Sequence, residues 1–395
     1  MRLFPPRKTI PEKKWKNKGR QSVSHTTANG IIDIRRYIFW NKESGSNTSV
    51  DDWLGLESKI SLFASQLCCL VSLGSNSFKD AAENLYKLAQ LKMSHSTIRK
   101  VAILYGKDMA TSLSKALIEP DMDIDGSKSM VVGTDGVMVP VITEQEKKRR
   151  QHNYEKSRRK TRANSSVRKP RRCKGSDTGY KEFKIISFYD RNKSRQYSLG
   201  TAGNHDVSGR LMRKHAVRIG LSKAATKICV VDGASWISRQ MDINLPFLDA
   251  KVLDYYHLCE HISNAANTCY GQSTAESHQF SDLIKKLLFD KGAVAILTEL
   301  EDRRKALRSK SKRKAISSLA KYIGNRTEML NYPLFISKGY DIGSGPTEAM
   351  CKALTRRLKG SGRKWNIKNA QSIMDMTAVK QSRLWDKYWN FKATG

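Results

Sequence analysis

Two apolar strands in this chain are each punctuated by an aspartate. They are Met130-Val131-Val132-Gly133-Thr134-Asp135-Gly136-Val137-Met138-Val139 and Ile228-Cys229-Val230-Val231-Asp232-Gly233. An ionised carboxylate in a strand apolar on both faces costs on the order of several kcal/mol unless a partner or metal ion compensates it. The chain must therefore fold so that these acids meet positive charge, and a divalent cation would answer both at once.

The rest of the sequence supplies positive charge in excess. Lys and Arg number 72 against 37 Asp and Glu, a formal net charge of +35 distributed along the chain. Such a field attracts polyanions, nucleic acid above all. A merely solubilising surface is the alternative, but solubility rarely needs an excess this large. The 395 residues allow two or three domains, each with its own core. No apolar stretch approaches the roughly 20 residues of a membrane helix. The start, Met1-Arg2-Leu3-Phe4-Pro5-Pro6-Arg7-Lys8, has no signal-peptide core, so secretion is not expected. The seven cysteines have no C-x-x-C spacing and read as reduced thiols in a cytoplasmic setting.

Residues 1–52 read as a basic N-terminal segment with a short alternating strand, Ile31 to Trp40. Residues 53–125 turn helical, with Leu56, Ile60, Phe63, Leu67, Leu70 and Val71 at three- and four-residue steps. Ser77 and Ser94 are placed to cap two successive helices, a candidate helix-turn-helix. Arg99 and Lys100 would then sit near the start of the second, where a recognition helix meets bases. A plain helical hairpin fits the same pattern.

Strands resume at Met130 and are broken by residues 147–174, which hold fourteen Lys or Arg against one acid, Glu155. So charged a segment reads as a mobile basic arm or extended loop. Its Arg149, Arg150, Arg158, Arg159, Arg171 and Arg172 are candidate phosphate contacts. A hairpin (Tyr180 to Gly200), a helix from His205, a strand ending at Asp232, a short helix and a strand ending at Asp254 follow. Residues 255–340 are nearly all helical, and Gly343-Ser344-Gly345-Pro346 opens a final long helix within 341–395.

That order of strands and helices resembles a ribonuclease-H-like α/β core: residues 126–254, a helical insertion at 255–340, and a return at 341–395. Several blocks taken together carry a closer resemblance: Asp135-Gly136; Asp232-Gly233-Ala234-Ser235-Trp236-Ile237; Asp254-Tyr255-Tyr256-His257; Ile342 to Glu348; and Arg357 to Trp365. From about Gly30 to Trp389 the chain resembles the DDE transposases of bacterial insertion sequences, specifically the Kra family. Members often carry a paired-cysteine segment like a zinc ribbon after the N-terminal strand. Here that stretch reads Tyr37-Ile38-Phe39-Trp40-Asn41-Lys42-Glu43-Ser44, so no structural zinc is expected in it.

The resemblance implies that Asp135, Asp232 and Glu348 are the catalytic carboxylates and metal ligands. They would hold two Mg2+ ions (Mn2+ substituting) roughly 3.5–4 Å apart, one activating water or a 3′-hydroxyl and one steadying the leaving oxygen. It further implies cleavage of element ends and joining to target DNA, a homo-oligomer holding two ends, and a bacterial cytoplasmic, nucleoid-associated setting without membrane. Lys352 and Arg356 share the helix face of Glu348 and, with Arg363 and Lys364, are read as contacts to the DNA backbone. Trp365 reads equally as packing, and Trp236 as core.

Two other readings stand beside this one. His257-Leu258-Cys259-Glu260-His261 fits the H-x-x-E-H pattern of a zinc protease, though it explains neither the charge nor the strand aspartates. The chain could also be a DNA-binding protein whose catalytic domain has decayed. Asp254 is the substitute acid if Asp135 or Glu348 is misassigned.

Overall fold

The structure, a computed structural model, describes residues 15–43, 45–48, 59–163, 179–360 and 362–394, the side chains at 47 and 157–163 excepted. The chain divides into two compact units, residues 1–118 with 385–395, and residues 119–384.

In the first unit, β1 (Lys16–Thr27) and β2 (Gly30–Asn41) form an antiparallel ribbon, joined by the short β3 (Gly45–Asn47). Only β2 was legible in sequence. β1 is polar and largely exposed, so it lacks the apolar alternation that marks a half-buried strand. Three helices follow: α1 (Leu62–Gly74), α2 (Phe78–Ala89) and α3 (His95–Ser114). Ser61, Ser77 and Ser94 each accept a backbone N–H in the first turn, and the two caps expected at Ser77 and Ser94 are in place. Ala64, Cys68, Leu85, Ile98, Ala102 and Met109 close the core between these helices.

The second unit is a mixed five-stranded sheet flanked by helices. Along the chain come β4 (Ser129–Val141), α4 (Glu144–Ala163), β5 (Gly179–Asp190), β6 (Gln196–Thr201), α5 (His205–Arg218), β7 (Thr226–Val231), α6 (Ser235–Asn244) and β8 (Ala250–Leu253). The sheet order is β6-β5-β4-β7-β8. β5 runs antiparallel to both β4 and β6, while β7 pairs parallel to β4, and β8 parallel to β7. β4 is thus central, and Met130, Val131, Val132, Val137 and Val139 are buried.

The insertion comprises α7 (Tyr255–Tyr270), α8 (Ala275–Ala306), bent at Gly292 where φ is 77°, α9 (Lys310–Gly324) and the short α10 (Tyr332–Ser337). Leu258, Ile262, Phe280, Ile284, Ile316, Leu319 and Ile323 form its own apolar core. The chain returns through α11 (Gly345–Thr355) and α12 (Ile367–Gln381), and α13 (Trp385–Thr394) belongs with the first unit.

Two sequence expectations need correction. The helix Glu144–Ala163 takes in the first part of the basic arm expected at 147–174, as Lys, Arg, Glu and Gln favour helix, Glu144 and Glu146 suit the first turn, and Lys147 and Arg150 pair back to them. Arg158 and Arg159 lie on this helix with side chains outside the described residues, and Arg171 and Arg172 lie outside them altogether. The final helix is two. Between α11 and α12, Trp365 bridges to the end of β4, donating its N–H to Pro140 O (3.1 Å) and accepting from Ile142 N (2.8 Å). A backbone committed to a strand bridge cannot continue a helix.

Candidate active site

The three acids come from three elements and line one cavity of about 500 Å3, together with Gly136, His257, Glu260, Ser344, Thr347, Cys351, Lys352 and Lys359. Asp135 lies midway along the central strand β4, Asp232 immediately follows β7, and Glu348 sits in the first turn of α11.

Close packing of α11 on β4 brings Glu348 to that end of the sheet. At Gly133 an added Cβ would stand 1.8 Å from Thr347 Oγ1, so only glycine lets the helix approach this near. Asp254 fixes the helix from the other side. Its Oδ1 accepts from His257 N (2.9 Å), capping α7, while Oδ2 accepts from Ser344 N (2.6 Å) and from the Ser344 hydroxyl. Tyr255 N also donates to Ile342 O (2.9 Å). Asp254 is buried at 1 % exposure with both oxygens engaged, which gives it a structural task at the site's edge.

Around Asp135 the field is unfavourable to a bare carboxylate. Burial lifts its carboxyl above the ordinary aspartate range, the Gly136 N–H draws it back, and the nearby Asp232 and Glu348 raise it again. Asp135 Oδ1 accepts from Gly136 N (2.5 Å), and Cys351 Sγ stands 3.5 Å from Oδ2. Asp232 Oδ1 accepts from Ala234 N (2.9 Å). Glu348 is 55 % exposed and has Lys352 Nζ 3.6 Å from its Oε2. Among the described residues, no three His, Cys, Asp or Glu side chains already close on one point as a metal ion requires. The donor set nevertheless suits a hard divalent cation: oxygen ligands on a shared cavity, mutually repelling, with a lysine beside one of them.

The H-x-x-E-H residues lie next to the acids. His257 Nδ1 pairs with Glu260 Oε2 (3.3 Å), and the His261 ring stacks on Tyr322 at 3.9 Å. Burial, His257 and Arg326 hold the His261 imidazole below its ordinary range, against the opposing pull of Glu260 and Asp232.

The candidate DNA contacts separate into free and engaged groups. Arg99 and Lys100 are exposed in the first turns of α3, Arg149 is exposed on α4, and Arg356 is exposed at the end of α11. Lys352 lines the cavity. Arg150 and Lys364 instead converge on Glu146, at 2.5 and 3.0 Å, and Glu146 is only 4 % exposed. Burial raises the Glu146 carboxyl, but these two cations more than offset it and hold it low. Arg363 Nη1 donates to Arg357 O (3.1 Å). Trp365 is buried at 9 % exposure.

Trp236 departs from the expected core placement. It is half-buried, stacked on His205 (centroids 4.6 Å, 8°) with Lys184 Nζ 5.6 Å from its ring, and it lines a groove with Arg239 and Gln240. Cys351, Lys359, Tyr322 and Arg326 also escaped the sequence reading. Only Cys351 and Lys359 had a signal available, their three- and eleven-residue spacing from Glu348 along the α11 side.

No family model matches the chain, and no curated protein sequence matches it. Among solved structures, the Drosophila P element transposase strand transfer complex is similar over 83 % of this chain and 80 % of that one, at 12 % identity and a TM-score of 0.29. A likeness at that level assigns neither a fold nor a residue role.

Proposed function

We propose that the protein is a DDE transposase of the kind found in bacterial insertion sequences, resembling the Kra family. It would cleave element ends and join them to target DNA. The observation that carries the reading is the meeting of Asp135, Asp232 and Glu348 on one cavity. The strand order β6-β5-β4-β7-β8, with the first acid on the central strand and the second after its parallel neighbour, supports a ribonuclease-H-like core.

In this reading Asp135, Asp232 and Glu348 hold Mg2+, which when bound supplies an activated water or hydroxyl and charge stabilisation for the leaving oxygen. The chain's own part is placement and charge. Asp135 is fixed by its strand, and the capping ties of Asp254 hold the start of α11 and with it Glu348. Lys352 and Lys359 line the cavity, where a phosphodiester would need its charge balanced. Exposed Arg149 and Arg356 would contact the DNA backbone, Arg99 and Lys100 at the start of α3 would meet bases, and two chains would hold the two ends.

The test uses purified protein, Mg2+ and a supercoiled plasmid carrying the DNA that borders its gene. Wild type should nick the plasmid. Asp232→Asn and Glu348→Gln should bind it at the same salt and leave it intact. Cleavage by Asp232→Asn at the wild-type rate would refute the metal-ligand role, and binding without cleavage by wild type would favour a DNA-binding protein without catalysis.

A further inference from the structure

The turn after β7 is gripped by the helical insertion. From the last turn of α9 the Tyr322 hydroxyl donates to Asp232 O at 3.0 Å. Just beyond that helix Arg326 donates to Gly233 O twice, from Nε at 2.8 Å and Nη2 at 2.5 Å, and from Nη1 to Tyr322 O at 2.7 Å. Its guanidinium lies 4.0 Å from the Tyr322 ring centroid, and the His261 ring lies 3.9 Å from the same centroid. Two groups that close to one centroid cannot share a face, so Tyr322 is sandwiched between them.

The turn itself is built to receive this grip. Gly233 has φ of 85°, a conformation side chains resist, and a Cβ there would stand 2.5 Å from Arg326 Nε and 2.6 Å from Leu253 Cδ1. The two carbonyls at which β7 hands over to the acid are therefore held by a planar, charged fork and a rigid phenol. The sheet cannot supply these bonds, because β7 ends at Val231.

We propose that Tyr322 and Arg326 are positioning residues for Asp232: the insertion, through its contacts to the Asp232 and Gly233 carbonyls, sets where the second carboxylate is presented. This rests on the metal-ligand reading of Asp232. Neither residue touches the reacting atoms, and their effect passes through the backbone. A side chain mounted on a loosened turn would sample many orientations, and a two-carboxylate ion site would lose affinity accordingly.

The experiment titrates full-length protein with Mn2+, free ion being counted by electron paramagnetic resonance, alongside a circular-dichroism melt. Arg326→Ala should weaken Mn2+ binding by about tenfold or more. Arg326→Lys should restore little of it, since an ammonium cannot make the forked contact. Tyr322→Phe, which keeps the ring sandwich and loses only the hydroxyl, should give a smaller loss in the same direction.

A folded Arg326→Ala with wild-type Mn2+ affinity, while Asp232→Asn has lost it, would overturn the positioning role and leave the metal reading standing. Undiminished binding by Asp232→Asn would sink the metal reading and this inference with it. Should Arg326→Ala fail to fold, Tyr322→Phe decides, and unchanged affinity there overturns the proposal.

Discussion

At the scale of single residues, a second aspartate shows the same conflict between charge and burial, away from the cavity. Asp375 on α12 is half-buried beside Gln371, whose Nε2 donates to it at 2.8 Å. Burial lifts its carboxyl to about 7, the Gln371 contact opposing the rise. An unfolded aspartate titrates at about 3.9, so between those values the unfolded chain releases a proton that the folded chain keeps. Stability from this group is greatest below about pH 4 and falls as pH rises to about 7. Asp375→Asn should therefore raise the melting temperature at pH 8 and change it little at pH 4. An equal gain at both would remove titration as the cause. Asp135 and Asp232 stand out in the sequence as charges in apolar strands, whereas Glu348 is singled out only by the resemblance; the structure brings all three to one cavity. Tyr322, Arg326 and Asp254 act on backbone atoms far away in sequence, and no local pattern encodes that.

At the scale of elements, the approach of α11 to β4 depends on one missing side chain. Gly133→Ala places a methyl where Thr347 already sits, so the helix must retreat. The expected cost is about 1–3 kcal/mol of stability, read by urea unfolding, together with loss of plasmid cleavage because Glu348 moves with its helix. A variant with unchanged cleavage would mean that Glu348 does not depend on this packing. The strands of the core were readable from apolar runs bounded by turns. The helical start of the basic arm and the break before α12 were not. Composition concealed the first, since residues rich in charge satisfy both solvated coil and solvated helix. The second is caused by pairing of Trp365 with Pro140 and Ile142, a long-range bond without a local signature.

At the scale of the whole molecule, a net charge of +35 has a measurable signature. Binding to random duplex DNA should weaken by about a thousandfold or more between roughly 50 and 200 mM salt, as counterions released by several phosphate contacts are restored. Fluorescence anisotropy on a labelled duplex reads this directly, and a flat salt profile would end the polyanion interpretation. The carboxylate of Asp254 has a topological consequence on this scale. It closes a loop between itself and Ser344, 90 residues along, so the chain leaves and re-enters the core at one spot. The intervening helices are thereby hung from a fixed doorway and meet the core again through Tyr322 and Arg326. Residues can be added to or removed from the far side of that insertion without altering the spacing in three dimensions between Asp135 and Glu348. The interval in sequence between the second and third acids can accordingly change on that far side, while the doorway residues and the Tyr322 and Arg326 contacts cannot.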